Sequence, residues 1–294
     1  LKIKVDSLQN LQLLVNSANR SGHITLHIDS TFAFNRHFNP IFLQTNVNAD
    51  TVDFELTTEK IANNLENFDI MGKVTPHKKG YNLTLTENLL VMFGSKWNIN
   101  PKNNIVFGDQ YLNFENLLLT DGYRAIEIND INQNRGVELD VVNIDLDLVN
   151  GLIKYDKMIF GGTVNLSAKV TDVFAQDKAV AAYINVPDFS INGDKYGTVY
   201  VDVTRDENSP VKANVSIGDF LAIKGSYDIN NKYIESRIKL RKAPMEIIQY
   251  LLKDGIKDTQ GYINADFTFG GLTSDLKING EGTVDQGKTT LIYT

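Results

Sequence analysis

Residues 162–172 read GTVNLSAKVTD and residues 261–271 read GYINADFTFGG. In each, a glycine is followed by apolar side chains at every second position: Val164, Leu166, Ala168 and Val170 in the first, Ile263, Ala265, Phe267 and Phe269 in the second. Alternation with period two marks a strand that buries one face. The same spacing recurs in Ile24, Leu26 and Ile28, in Leu83 and Leu85, and in Val199, Val201 and Val203. The two glycine-led stretches lie about a hundred residues apart. That separation suggests large, degenerate sheet units rather than the short repeats of a solenoid.

Between the alternating runs stand pairs that suit tight turns: Lys79-Gly80, Asp121-Gly122, Asn192-Gly193, Asn230-Asn231 and Asn279-Gly280. Glycine and asparagine tolerate the positive φ of hairpin turns, so most connections are expected to be short hairpins. The segment VELDVVNIDLDLV (137–149) changes phase, from Val137, Leu139 and Val141 to Val142, Ile144, Leu146 and Leu148, which predicts a β-bulge near Val141. Helical spacing is rare. The clearest case is APMEIIQYLLKDG, where Pro244 suits a first turn, Ile247, Ile248, Leu251 and Leu252 share a side and Gly255 stops it, predicting a helix over 244–254. It would gate one end of a groove, lie on a membrane or cover a sheet edge. Leu8, Leu11, Leu14 and Val15, and Ile61, Leu65 and Phe68, fit either a helix or an irregular strand.

Composition narrows the function classes. With 42% hydrophobic residues and 22% charged, the 294-residue chain carries enough apolar material for a packed fold. A net charge of −7 argues against nucleic acid, whose binding needs clustered Lys and Arg. The absence of cysteine removes disulfides, thiolate metal ligands and a thiol nucleophile. No run approaches the roughly twenty apolar residues that cross a bilayer as a helix. The chain opens LKIKVDSL and stops at TTLIYT, both as if inside a domain, so a piece of a longer protein is expected.

Every alternating strand presents an apolar face, and with so few helices that face must meet another sheet, close into a barrel or curl into a trough. Roughly twenty strands exceed the usual sheet size. The fold class expected is therefore mainly β: an elongated, curled, incompletely closed antiparallel sheet with few short helices, one continuous groove over 1–294 with sub-units 1–160 and 161–294. Stacked at about 4.8 Å, twenty strands would make a trough on the order of 100 Å long. An open apolar lining of that size would imply a ligand or partner. Val164, Leu166, Val170, Val199, Val201, Val203, Ile263, Phe267 and Phe269 are the candidate lining residues; their alternative is an ordinary closed core.

The closing stretch DGIKDTQGYINADFTFGGLTSDLKINGEGTVDQGKTTLIYT (254–294), with its glycine-led strand, short glycine turn and final GKTTL, resembles the TamB family (translocation and assembly module) of the AsmA-like, repeating-β-groove group. The block KWNINPKNNIVFGDQYLNFENLLLTDGYRAIEIN (96–129) is similar to the repeated strand units of that family. The resemblance implies a β-taco in the periplasm, with the full-length protein anchored in the inner membrane. It also implies phospholipid transport between inner and outer membranes, or outer-membrane protein assembly and secretion, beside an Omp85-type outer-membrane barrel protein. As a departure from that family's pattern, neither the anchor nor an obvious docking segment is expected within residues 1–294.

Other chemistry is weakly signalled. His23, His27 and Asp29 would share a strand face and hold a metal, or they are polar positions opposite Ile24, Leu26 and Ile28. Glu138, Asp140, Asp145 and Asp147 suit a calcium site or acid/base pair, or the solvated face of a strand. No phosphate loop, dinucleotide fingerprint or nucleophile elbow is present, and neither enzyme activity, a metal nor a cofactor is expected. The alternative to lipid transport is a surface adhesin or carbohydrate-binding β-protein; against it, Trp97 is the only tryptophan and the tyrosines are scattered along the sequence.

Overall fold

The computed structural model describes residues 7–18, 21–33, 36–38, 40–58, 69–86, 90–92, 95–146, 158–247 and 256–291. The chain is almost wholly antiparallel β-sheet, 76% strand and 1% helix, and the sheet is not closed. Strands rather than helices therefore shield whatever apolar surface is shielded. Contacts divide the chain into two units: residues 1–155 with 171–174, and residues 156–170 with 175–294.

In unit 1 the strands are β1 (Ser7–Ala18), β2 (Ser21–Ala33), β3 (Arg36–Phe38), β4 (Ile41–Asn48), β5 (Thr51–Thr58), β6 (Asp69–His77), β7 (Gly80–Leu85), β8 (Leu90–Met92), β9 (Ser95–Ile99), β10 (Asn104–Gly108), β11 (Tyr111–Glu115), β12 (Leu117–Thr120), β13 (Ala125–Ile131) and β14 (Gly136–Asp145). The spacing of Leu8, Leu11, Leu14 and Val15 thus falls in a strand. β1, β2, β4, β5 and β6 pair in succession. At β6 the sheet forks: most of the strand pairs with β7, while Asp69 pairs with Val91 of β8. One branch continues through β10 and β11, the other through β9, β12, β13 and β14.

The fork makes two layers, and side chains from both meet in a sealed core. Leu90, Trp97, Ile99, Leu117, Leu119 and Ile144 are fully buried, and Leu85, Ile105 and Phe114 of the other branch pack against them. Trp97 is 0% exposed, and its Nε1–H donates to the Met92 carbonyl at 3.0 Å, so its one polar atom is satisfied. Buried Asn103 ties the layers at one end. It accepts from the Leu85 N–H at 2.7 Å and donates to the Leu85 carbonyl at 2.8 Å. In β14, Val141 packs on the core, Val142 is exposed and Ile144 is buried, with Asn143 at φ 56°. The extra residue that restores the inward phase therefore lies at Val142–Asn143, just after the position expected from the sequence.

Arg124 closes the core from above. Its guanidinium lies 5.4 Å from the Trp97 ring centre, Nη2 donates to Ser95 Oγ at 2.7 Å and Nε to Asp121 Oδ2 at 2.7 Å. Burial pushes the Asp121 carboxyl up, but the Arg124 N–H and guanidinium and the Tyr123 N–H outweigh it and hold it below the usual carboxylate range. A depressed folded-state value contributes stability that is present above the unfolded value, about 3.9, and is lost as pH falls through the folded one. Asp121→Asn leaves a buried guanidinium without its counter-charge and is expected to cost about 3 kcal/mol at pH 7. Thermal melts should show the gap between variant and parent narrowing at pH 3; an equal gap at both values would deny the ion pair its role.

Unit 2 contains β15 (Phe160–Gly161), β16 (Thr163–Val170), β17 (Val180–Ile191), β18 (Asp194–Arg205), β19 (Val211–Ile217), β20 (Leu221–Asp228), β21 (Tyr233–Pro244), β22 (Ile256–Leu272) and β23 (Asp275–Leu291). From β16 to β23 each strand pairs with the next in sequence. Asn192 (φ 52°) and Gly193 (φ 91°) make the two-residue turn between β17 and β18, as their residue types require.

Two sequence expectations are corrected here. Asn279-Gly280 is not a turn but lies inside β23, with Gly280 opposite Phe267; a Cβ on Gly280 would stand 2.6 Å from that ring and closer still to the Asp266 carbonyl oxygen, so the close approach of β22 requires the glycine. Pro244 does not open a helix but ends β21, paired with Tyr262. Glu246 and Ile247 after it are helical, so the expected helix begins later than Pro244, and 248–255, like Ile61, Leu65 and Phe68, lie outside the described residues.

Candidate functional site

Residues directly opposite in an antiparallel pair share a face of the sheet. The register therefore strings one apolar row across unit 2: Leu166, Ile184, Val201 and Val215 on β16–β19, Ile223, Ile238 and Phe267 on β20–β22, then Gly280 on β23. A second row runs from Val186 and Val199 through Ile217, Leu221, Leu240 and Ala265 to Gly282. A third runs from Ala168 and Ala182 through Val203, Ala213, Gly225, Ser236 and Phe269 to Ile278. Ser236 is the only polar residue in the three rows. Seven interstrand steps at about 4.8 Å give the face a length of roughly 34 Å.

All nine candidate lining residues fall on this one face. Val164, Leu166 and Val170 reach it from β16, Val199, Val201 and Val203 from β18, and Ile263, Phe267 and Phe269 from β22. The sequence reading missed the contributions of β17, β19, β20 and β21, although Ile184-Val186, Ala213-Val215-Ile217, Leu221-Ile223 and Ile238-Leu240 carry the same alternation. Most of these side chains are half-buried rather than sealed, in contrast to the core of unit 1.

A line of bulges borders the face. Register shifts fall between Val186 and Phe189 on β17 and between Leu240 and Ala243 on β21, where Asp188 (φ 51°) and Lys242 (φ 46°) take left-handed backbone. On β22 the shifts lie between Lys257 and Tyr262. The two glycines that open the repeated sequence pattern occupy equivalent places. Gly162 (φ 120°) packs against the Pro187 carbonyl of the β17 bulge, and Gly261 (φ 105°) against Asp285 and Gln286 (φ 54°) of β23. A Cβ at either would approach a carbonyl oxygen within 3 Å. Bulges bend and twist a sheet, so this line is a crease. The fully buried residues described in unit 2, Val186, Ile191, Tyr196, Ala243, Thr259 and Ala265, lie at the crease or beyond it.

The opposite face is polar. Arg237 Nε and Nη2 donate to Asp266 Oδ1 and Oδ2 at 2.7 and 2.6 Å, and this pairing holds the exposed Asp266 carboxyl below its usual range. Register also brings together two residues that the sequence separates. Tyr183 on β17 and Tyr200 on β18 are both exposed on this face, with ring centres 6.3 Å apart.

Of the polar candidates of unit 1, the two histidines are engaged within their own sheet, while Asp147 and the side chain of Asp29 lie outside the described residues. His23 contacts Asn46 Oδ1 at 2.8 Å and Thr25 Oγ1 at 2.9 Å, and His27 stacks on Phe42 at 4.3 Å. Glu138 and Asp140 alternate with the inward Leu139 and Val141 on β14, opposite Asn129 and Glu127. No group of three His, Asp or Glu side chains among the described residues is arranged to hold a metal ion. Comparison of the chain with protein-family models, curated proteins and solved structures found no match.

Proposed function

We propose that the apolar face of β16–β23 is a conduit for phospholipid acyl chains. The observation that supports this reading is the continuity of the face: three rows, two across eight strands and one across seven, with one serine among them, backed by a face of ion pairs and tyrosines. Exposing a dozen methylenes to water costs roughly 10 kcal/mol, at about 0.8 kcal/mol each, which makes free transfer of a lipid tail slow. A lining with the polarity of a bilayer interior removes most of that cost without trapping the chain.

On this reading the protein acts as the TamB-like proteins it resembles: in the periplasm, moving phospholipid between inner and outer membranes or assisting outer-membrane protein assembly and secretion. Its longer form would be anchored in the inner membrane, with an Omp85-type barrel protein as partner. Among the described residues no helix is long and apolar enough to cross a membrane.

A photo-crosslinking residue placed at Phe267, on the apolar face, is expected to capture phospholipid in the cell envelope, and one at exposed Thr268, on the polar face, is not. Capture at both positions or at neither would overturn the conduit. The exposed Tyr183–Tyr200 pair favours a second reading, a carbohydrate-binding or adhesive β-protein, because neighbouring aromatic rings can stack on sugars. Failure at Phe267 with loss of glycan binding in Tyr183→Ala would move that reading ahead.

A further inference from the structure

The aromatic rings of unit 2 separate by face. Phe267 and Phe269 take the apolar side, whereas the exposed tyrosines described in this unit, Tyr183, Tyr200, Tyr233 and Tyr262, all stand on the polar one. Two of them meet: Tyr183 and Tyr200 are 46% and 44% exposed, with ring planes 35° apart. We propose that these two rings are the platform of a binding site for a neutral polysaccharide, with Asp202, Asn185 and Asn214 taking its hydroxyl groups. The proposal rests on the carbohydrate reading and gives it a site and a substrate class. It is independent of the acyl-chain reading, because the platform lies on the opposite face of the sheet.

Register builds the site. On β17 and β18, Tyr183 stands opposite Asp202 and Asn185 opposite Tyr200, so the rings occupy one diagonal of a square and the carboxylate and amide the other. Asn214 and Ser216 of β19 extend it, opposite Asp202 and Tyr200. Opposed side chains on one face lie about 5 Å apart at Cβ, and aromatic ones reach across the diagonal. A pyranose ring has C–H faces and a rim of hydroxyls, which calls for an apolar surface flanked by polar groups. Tyrosine supplies the first at small entropic cost. The tilt between the rings follows the twist of neighbouring strands, and it suits successive sugars of a chain, each turned from the last. Elsewhere on this face polar groups engage one another: Arg237 with Asp266, Asn264 with Asp285, Asn231 with Asp228. Asp202, Asn185 and Asn214, by contrast, make no side-chain hydrogen bond or ion pair among the described residues, so their donors and acceptors are open to a ligand. The one charge at the centre is the Asp202 carboxylate, which accepts strong bonds from hydroxyls and repels uronates and phosphates. Lys212 and Lys224 stand at the rim, opposite Thr204 and Asn214.

The test is calorimetric titration of the chain with maltohexaose, cellohexaose and chitohexaose as neutral probes and an oligogalacturonate as the charged one. At least one neutral probe is expected to bind with a Kd on the order of 1 mM or tighter. The oligogalacturonate should bind at least about tenfold more weakly, because its carboxylates meet Asp202. Tyr183→Ala and Tyr200→Ala should each lower affinity for the preferred glycan about tenfold, while Tyr183→Phe, which keeps the ring, should stay within about threefold of the parent. Tyr262→Ala removes an exposed tyrosine away from the platform and should change nothing. All these positions are exposed, and circular dichroism checks that each variant folds. No binding of any neutral probe, equal binding of the charged one, or alanine variants that bind as the parent does would each overturn the proposal. Phospholipid capture at Phe267 should persist in Tyr200→Ala. If capture fails in the parent while glycan binding holds, the conduit falls and the platform stands.

Discussion

Aspartate in place of Ile223 will stop lipid capture at Phe267 while the sheet stays folded. Ile223 occupies the central row of the apolar face, opposite Val215 on one side and Ile238 on the other. A carboxylate there either meets hydrocarbon or takes up a proton, and each alternative costs free energy. A penalty of about 3 kcal/mol is enough to slow passage roughly a hundredfold. The neighbouring Lys224→Asp changes an exposed residue of the polar face and should leave capture intact. Thermal melts of both variants separate transport from folding. If Ile223→Asp remains folded and lipid still reaches Phe267, acyl chains do not travel this face.

Trp97→Ala is expected to have the largest effect on stability, about 3–5 kcal/mol, because it empties a large, fully enclosed site. The indole is 0% exposed among Leu90, Ile99, Leu117 and Leu119, and Arg124 covers its face. Against a total stability of roughly 5–15 kcal/mol, such a loss leaves the two-layer core marginal. Trp97→Phe keeps much of the packing and loses the hydrogen bond to Met92, so it should fall between the parent and alanine. Urea unfolding followed by circular dichroism measures all three. Equal midpoints for parent and alanine variant would show that the core does not depend on this residue.

The strands of unit 2 were legible because long stretches such as Val199–Val203 and Ile263–Phe269 alternate without interruption, and the antiparallel, unclosed fold class followed from them. Unit 1 was harder to read. Its core draws on β8, β9 and β12, three to five residues each, too short to establish a period. That β7, β10 and β11 face those strands depends on the fork at β6, a tertiary event with no local signature. Asn279-Gly280 misled because its chemistry is that of a turn, while its actual constraint is the close approach of the Asp266 carbonyl and Phe267 one strand away. The Tyr183–Tyr200 pair was invisible for the same reason: only the register across the Asn192-Gly193 hairpin makes them neighbours.

The succession of pairings from β16 to β23 has a mechanical consequence. Pulled from its C-terminal side in the plane of the sheet and across the strands, such a meander loads its hydrogen bonds a few at a time. β23 would peel from β22, then β22 from β21, each step releasing one strand. The bulges near Lys242 and Gly261 interrupt the ladder in the course of a step, so the force trace should be a series of low, uneven teeth instead of one high rupture.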